Sequence, residues 1–356
     1  MEGKKDSSIT TSNVIKTNHI NNNNIIDEKR KENEDNQNNI FDVAIVGAGF
    51  AGLSAALLLG RYLRPTVIFD GGKTRNSTTK HVHGYLGFEN TSPREFIQKA
   101  WNDVRQYDSI KLVKERVETV ERSDQLFLLR TAGDGGGGGG ARRTPVKAKY
   151  IIIATGIEDV KPNIKNFERF DGDGAWHCPH CDGFQTINKK LAIITSRKNE
   201  EAIRYAKEFL GWTKNIQLFI PGELTDKERT EVNTLGIEVI ENDDVTEIIG
   251  NGKGLIKGVI SKSKRTFDAE VIFYHLEHKI QNKIAEQLGC ELDEGYVKVN
   301  ATQQTTVPNV YAAGDIDTDR HYIVLAAASG TLAAMSIYEE MLKDAIGAVK
   351  KDRPKG

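Results

Sequence analysis

Cysteine is scarce in this 356-residue chain: Cys178, Cys181 and Cys290 are too few for a disulfide scaffold, and a reducing, cytoplasmic setting is expected. Net charge is almost absent, with 49 Lys and Arg against 50 Asp and Glu. That balance argues against nucleic acid or an anionic membrane as the main partner. No run of ~18 apolar residues occurs, so no transmembrane helix is expected, and the residues after Met1 form no apolar signal core. What is present, 38% hydrophobic and 28% charged residues, suits an ordinary soluble protein.

Residues 1–40 contain ten Asn, including Asn21 to Asn24, with mixed charge and no apolar face. Such a segment cannot offset the entropy of ordering and reads as a disordered tail. Residues 346–356, with Lys350, Lys351, Arg353 and Lys355, read as a short basic tail that frays. The interval between them is long enough for two domains of ~150 residues.

Val43 to Val46 form a continuous apolar run, as in a parallel strand buried on both faces. A glycine-rich turn, a helix through Leu59 and a second strand, Thr66 to Phe69, follow. Strands are expected within 111–131 and 147–154, joined by a flexible tip at Gly135 to Gly140. A second strand–helix–strand unit spans about 191–220, with Leu191 to Ile194, a helix near 199–210 and Ile216 to Ile220. The chain closes with a strand at Asn309 to Ala313 and a helix from Val324 to Leu342. This alternation, repeated, predicts an α/β fold of two doubly wound, Rossmann-like dinucleotide-binding domains. The first takes residues 41–157 and 279–345; the second, 158–278, is inserted in it.

Gly47-Ala48-Gly49-Phe50-Ala51-Gly52 matches G-x-G-x-x-G, which alone is weak: Gly135, Gly137 and Gly140 match it inside a glycine tract. Context separates the two. The first match lies between a buried strand and a helix, and Asp70 ends the next strand 18 residues after Gly52. The glycines allow the turn, a close pyrophosphate and helix–strand packing, while Asp70 would accept hydrogen bonds from a ribose.

Val310-Tyr311-Ala312-Ala313-Gly314-Asp315, with Ala154-Thr155-Gly156 ending an earlier strand, resembles the flavoprotein disulfide reductases with two dinucleotide domains. That resemblance implies FAD, with Gly314 and Asp315 at its ribityl chain and pyrophosphate. It further implies contacts from Arg75, Asn76, the backbone near Val117, and Tyr322 and Ile323 at the final helix.

Trp176-His177-Cys178-Pro179-His180-Cys181-Asp182-Gly183 holds two cysteines that can close a small, reducible disulfide, and such thiols often titrate near ~7. Two Cys and two His are nominally a zinc set, but they lie too close together to surround one metal. Cys-x-x-Cys-Asp-Gly between two dinucleotide folds resembles the low-molecular-weight thioredoxin reductases, over about residues 41–342. The resemblance implies Cys181 beside the flavin, Cys178 in exchange with the partner disulfide, and Asp182 in proton transfer.

Three segments depart from that family. Thr195-Ser196-Arg197-Lys198-Asn199-Glu200 stands where a second glycine motif would admit NADPH, and Pro221-Gly222-Glu223 brings no arginine for a 2′-phosphate, which argues against ordinary NADPH use. His321-Tyr322 replaces the usual Arg-Gln. The third is Asp70-Gly71-Gly72-Lys73-Thr74-Arg75-Asn76 with His81-Val82-His83-Gly84-Tyr85, and it and His321-Tyr322 resemble a branch that includes dithiol oxidases of disulfide-bearing natural products. A His often follows the second Cys there, whereas Asp182 is the reductase residue. The expected function is an FAD-dependent thiol–disulfide oxidoreductase acting with a thioredoxin-like protein or a small dithiol or disulfide. Ferredoxin or another reduced carrier would be its donor. The alternatives are a dithiol oxidase passing electrons to oxygen and a flavin-bearing redox sensor. A homodimer is implied by resemblance alone.

Overall fold

The computed structural model describes residues 40–131, 144–251 and 254–351; the Asn-rich tail up to residue 39, the glycine tract and the last five residues lie outside these ranges. The first apolar run is β1 (Ile40–Val46), and the turn after it leads into α1 (Phe50–Arg61) and then β2 (Thr66–Phe69), parallel to β1. Helix α2 (Pro93–Arg105) begins where the Ser92 side chain accepts the Glu95 N–H and Pro93 takes the first helical position. β3 (Ile110–Val113), β4 (Val117–Ser123), β5 (Leu126–Thr131) and β6 (Val146–Ile153) complete this run.

Alternate residues of β1 face opposite cores, which is why an unbroken apolar run was needed. Ala44 and Val46 pack with Phe127, Leu129 and Ile151, while Val43 and Ile45 face Leu53 and Leu59 of α1.

The chain then leaves through β7 (Ile157–Asp159) and builds β8 (Ala175–Trp176), the short α3 (Pro179–Asp182), β9 (Leu191–Thr195), α4 (Asn199–Lys207), β10 (Ile216–Ile220), α5 (Asp226–Leu235) and β11 (Glu238–Glu241). An antiparallel meander of β12 (Val245–Gly250), β13 (Ile256–Ser261) and β14 (Thr266–Asp268) precedes β15 (Val271–His275). The second sheet has the order β11-β10-β9-β15-β8 and is parallel throughout. The return strand β16 (His278–Ile280) pairs antiparallel with β7, so a two-stranded ribbon carries the chain out and back.

After β16 come α6 (Lys283–Leu288), the ribbon β17 (Leu292–Asp293) and β18 (Tyr296–Val297), β19 (Val310–Ala312) and α7 (Ile323–Lys351). β19 joins the first sheet parallel to the end of β6, giving β3-β2-β1-β6-β5-β4 with β19 beside β6. Gly330 lets α7 lie against α1, since a Cβ there would stand 2.0 Å from the Ala51 carbonyl oxygen. The architecture is thus two Rossmann-like α/β units, the second inserted in the first.

One expectation is corrected. Residues 346–351, read as part of a fraying tail, continue α7 well past Leu342. An established helix gains one backbone hydrogen bond per added residue. Among the described residues no helix is long and apolar enough to cross a membrane.

Candidate active site

The three glycines after β1 have three different jobs. Gly47 has φ +115°, and a Cβ there would meet the Ala154 carbonyl oxygen at 2.1 Å. Gly52 packs α1 onto the strand: its Cβ would lie 1.9 Å from the Gly47 oxygen. Gly49, which caps α1, has nothing within 4 Å of a Cβ and faces open space. That space is a cavity of about 1060 Å³ between the C-terminal ends of β1 and β6, the start of β4, the loop after β2 and the turn between β19 and α7.

Every residue expected at the cofactor lines this cavity except Gly52, which stands behind the turn. Gly314 sits at φ +87°. Asp70 spends one carboxylate oxygen on the Gly72 N–H, 2.9 Å away. The N-terminus of α1 has no acidic residue in its first turn, so its free N–H groups favour an anion. The Asn76 amide nitrogen is buried with no protein acceptor. A positive-φ cradle, an unopposed helix N-terminus and an orphaned donor fit an extended dinucleotide such as FAD.

Arg75 and Asp315 line the cavity as expected but hold each other. The Arg75 guanidinium grips both oxygens of Asp159 at 2.7 Å and reaches Asp315 at 3.3 Å. Burial works against the Asp159 charge, yet Arg75 and His177 keep its carboxyl below the ordinary range. This cluster ties the loop after β2, the crossover strand β7 and the turn after β19 together at the cleft.

From the second unit, β8 delivers Cys178 to the N-cap of α3, with Pro179 fixing the first helical position. Cys178 and Cys181 are joined as a disulfide, with Cα atoms 5.3 Å apart, and both line the same cavity. The Cys181 N–H points at Cys178 Sγ from 3.1 Å. An N–H so placed favours a thiolate once the bond is reduced. Asp182, 6% exposed, is pushed up to about 6 by burial, with the charge of His83 working the other way. A carboxyl so poised can hold or release a proton near neutrality. His83 is itself fixed by Glu89, 2.6 Å from its Nδ1. His177 lies 3.5 Å from Asp159 and 3.3 Å from the Tyr274 hydroxyl, with burial holding its ring below the usual imidazole range.

The second unit has no comparable cradle at the end of β9. The Thr195 hydroxyl accepts the Arg197 N–H and donates to the His275 carbonyl, both at 2.9 Å, which closes the turn on itself. Helix α4 opens with Glu200 and Glu201, and Arg197 faces Glu201 and Glu277. Glu223 follows β10 in the next loop, and β11 ends at Glu241, which Arg229 holds. Carboxylates at a helix N-terminus repel a pyrophosphate.

Sequence reasoning missed His278 and Tyr296, which join His321 in the cavity wall. They stand 18 residues apart on separate short strands, with no periodicity to link them.

Similarity to known proteins agrees with this geometry. The profile of the pyridine nucleotide-disulphide oxidoreductase family matches residues 41–196 and 215–331, and the gap at 197–214 holds α4. The chain is 29% identical over 326 residues to thioredoxin reductase sirT of Leptosphaeria maculans, covering 84% of this chain and 93% of that protein. Against thioredoxin reductase of Listeria monocytogenes identity is 28% over 325 residues, covering 87% and 97%. The crystal structure of HlmI superposes with a TM-score of 0.79 at 26% identity, over 87% of this chain and 95% of that one. A putative thioredoxin reductase TrxB from Bacillus anthracis gives 0.78 at 28% identity, over 86% and 99%. The chain therefore belongs to the pyridine nucleotide-disulphide oxidoreductase family and is an FAD-dependent disulfide oxidoreductase of the thioredoxin reductase-like kind.

Proposed function

We propose that this enzyme relays electron pairs between FAD and a partner dithiol or disulfide, in a reducing, cytoplasmic setting, with a donor other than NADPH. One observation carries the reading: the Cys178–Cys181 disulfide opens into the cavity of the glycine cradle, while the helix after β9 begins with Glu200 and Glu201, which disfavour a pyrophosphate there. FAD, when bound, supplies a two-electron carrier. The chain's own groups do the rest. Gly47, Gly49 and Gly314 admit the dinucleotide, and Asn76 offers it a donor. Cys178, with the Cys181 N–H at its sulfur, is the thiolate that attacks a thioredoxin-like protein or a small disulfide. Cys181 closes the internal disulfide again, and Asp182 exchanges the proton at sulfur.

Anaerobic mixing of the yellow protein with NADPH, NADH, reduced ferredoxin or a dithiol, followed by flavin absorbance, tests the donor. A dithiol or the reduced carrier should bleach the flavin quickly and NADPH slowly or not at all. Bleaching by micromolar NADPH within milliseconds would restore an ordinary NADPH-dependent reductase. The acidic first turn of α4 equally favours a second reading, a dithiol oxidase in which the same residues run in reverse and oxygen takes the electrons. Peroxide formed in step with dithiol consumption would select it.

A homodimer is part of the proposal. Along α7, Leu325, Leu332, Met335, Leu342 and Ile346 form an exposed apolar stripe at helical spacing. Light scattering should give twice 39.5 kDa for the wild type, and Leu332→Glu with Met335→Glu should reduce it to the single-chain mass. A wild-type mass of one chain at micromolar protein would contradict the dimer.

A further inference from the structure

The turn that carries the disulfide places two proton-exchanging side chains on either side of it. Helix α3 starts at the Cys178 cap and runs Pro179-His180-Cys181-Asp182, so His180 and Asp182 flank Cys181 in the chain. Successive side chains of a helix are turned by about 100° from one another, which sends these two to opposite sides of the Cys181 sulfur. The fold treats them differently. Asp182 turns inward and is 6% exposed, whereas the His180 side chain turns outward and is 61% exposed.

His180 sits where the two units meet at the cavity rim. Its Nε2 stands 3.4 Å from Glu208, in the single turn that extends α4, and its ring centroid lies 6.0 Å from that of Tyr322, just before α7. His180, Glu208 and Tyr322 line the cavity together with both cysteines. Burial raises the Glu208 carboxyl, and the charges of His180 and then Arg204 draw it back. With Nε2 turned to that carboxylate, Nδ1 is the nitrogen left to exchange a proton. A partner comes from the solvent side, and its sulfur leaves on that side. An alkyl thiolate leaves poorly unless it is protonated.

We propose that His180, held by Glu208, is the acid–base group for the partner's sulfur, as Asp182 is for Cys181. The proposal rests on the exchange role given to Cys178 above, and it moves electrons between sulfurs only. In the reductive direction the Cys178 thiolate attacks the partner disulfide. A Cys178–partner S–S bond forms, the partner's own S–S bond breaks, and the departing sulfur takes the Nδ1 proton of the His180 imidazolium. Solvent returns a proton to the exposed ring. Cys181 then gives its proton to Asp182 and attacks Cys178, the internal disulfide closes, and the second partner sulfur leaves with a proton from His180. Asp182 gives its proton back to solvent, so the solvent protons cancel. Two enzyme thiols lose two electrons and two protons, and the partner disulfide gains both. Oxidation of a dithiol runs the same steps backwards, with His180 as the base.

The test uses the full-length protein with its FAD in a Cys181→Ser background, where Cys178 retains the partner as a mixed disulfide that mass spectrometry counts. Two probes differ in the sulfur that leaves. Hydroxyethyl disulfide releases an alkyl thiolate that needs a proton, whereas dithiodipyridine releases a thione whose sulfur needs none. Adding His180→Gln should slow the reaction with the alkyl disulfide roughly tenfold or more and leave that with the pyridyl disulfide within about twofold. Glu208→Gln should show the same selective loss, smaller in size. Equal slowing with both probes would make His180 an activator of Cys178, and no slowing with either would make it a bystander; each result overturns the proposal. If Cys178 reacts with neither probe, the exchange role of Cys178 fails and the role of His180 falls with it. The count does not use the flavin, so a colourless protein would sink the flavoenzyme reading while the two probes still decide the proposal.

Discussion

Cys178→Ser and Cys181→Ser each lower turnover with dithiol and disulfide substrates by on the order of 10³-fold or more, because neither sulfur can complete a relay alone. Their other signatures differ. Cys181→Ser leaves Cys178 able to attack but removes the thiol that would release the partner, so a stable mixed disulfide at Cys178 should accumulate and be visible by mass spectrometry. Cys178→Ser leaves Cys181 free inside the cavity that both cysteines line. In the assignment proposed here it faces the flavin, and the variant should show a long-wavelength thiolate–flavin absorbance that Cys181→Ser lacks. Wild-type turnover in either variant, or the absorbance in Cys181→Ser alone, would reverse or remove the assigned roles.

The second large effect concerns the glycine cradle. Gly52→Ala puts a Cβ 1.9 Å from the Gly47 carbonyl oxygen, backbone against backbone, so α1 has to move off β1. A loss of roughly 3 kcal/mol or more is expected, seen as a melting temperature lower by on the order of 10 °C, with little flavin retained. Gly47→Ala should behave likewise, since it combines φ +115° with a 2.1 Å approach to Ala154. Gly49→Ala is the informative contrast. Its Cβ meets no protein atom within 4 Å, so the apoprotein should melt near the wild type while FAD binds more weakly. Equal flavin content in all three variants, measured as visible absorbance per protein, would show that the turn does not hold the cofactor.

Features that depend on neighbours in the chain were legible in the sequence. Gly47, Gly49 and Gly52 between a buried strand and a helix announce a dinucleotide turn because one strand and one helix set the geometry. Cys178 and Cys181 announce a reducible pair because two intervening residues bring the sulfurs within reach. The repeated alternation of apolar runs and helical segments carried the two-unit fold. The end of α7 was misread, since a run of lysines looks like a tail until the helix preceding it is known to continue.

Only the tertiary structure decided what long-range approach and burial do. It bound Arg75 to Asp159 and Asp315, 84 and 240 residues away in sequence, so that two expected cofactor residues hold each other. It set His83 to act on Asp182 and, by burying that carboxyl, moved it to about 6. It assembled His278, Tyr296 and His321 from three segments with no shared spacing. The sequence by itself thus determined the elements, the dinucleotide turn and the redox pair, whose geometry is local. Proton affinities and the partners of charged side chains came from the fold, because desolvation and charge pairing depend on which distant residues share a cavity.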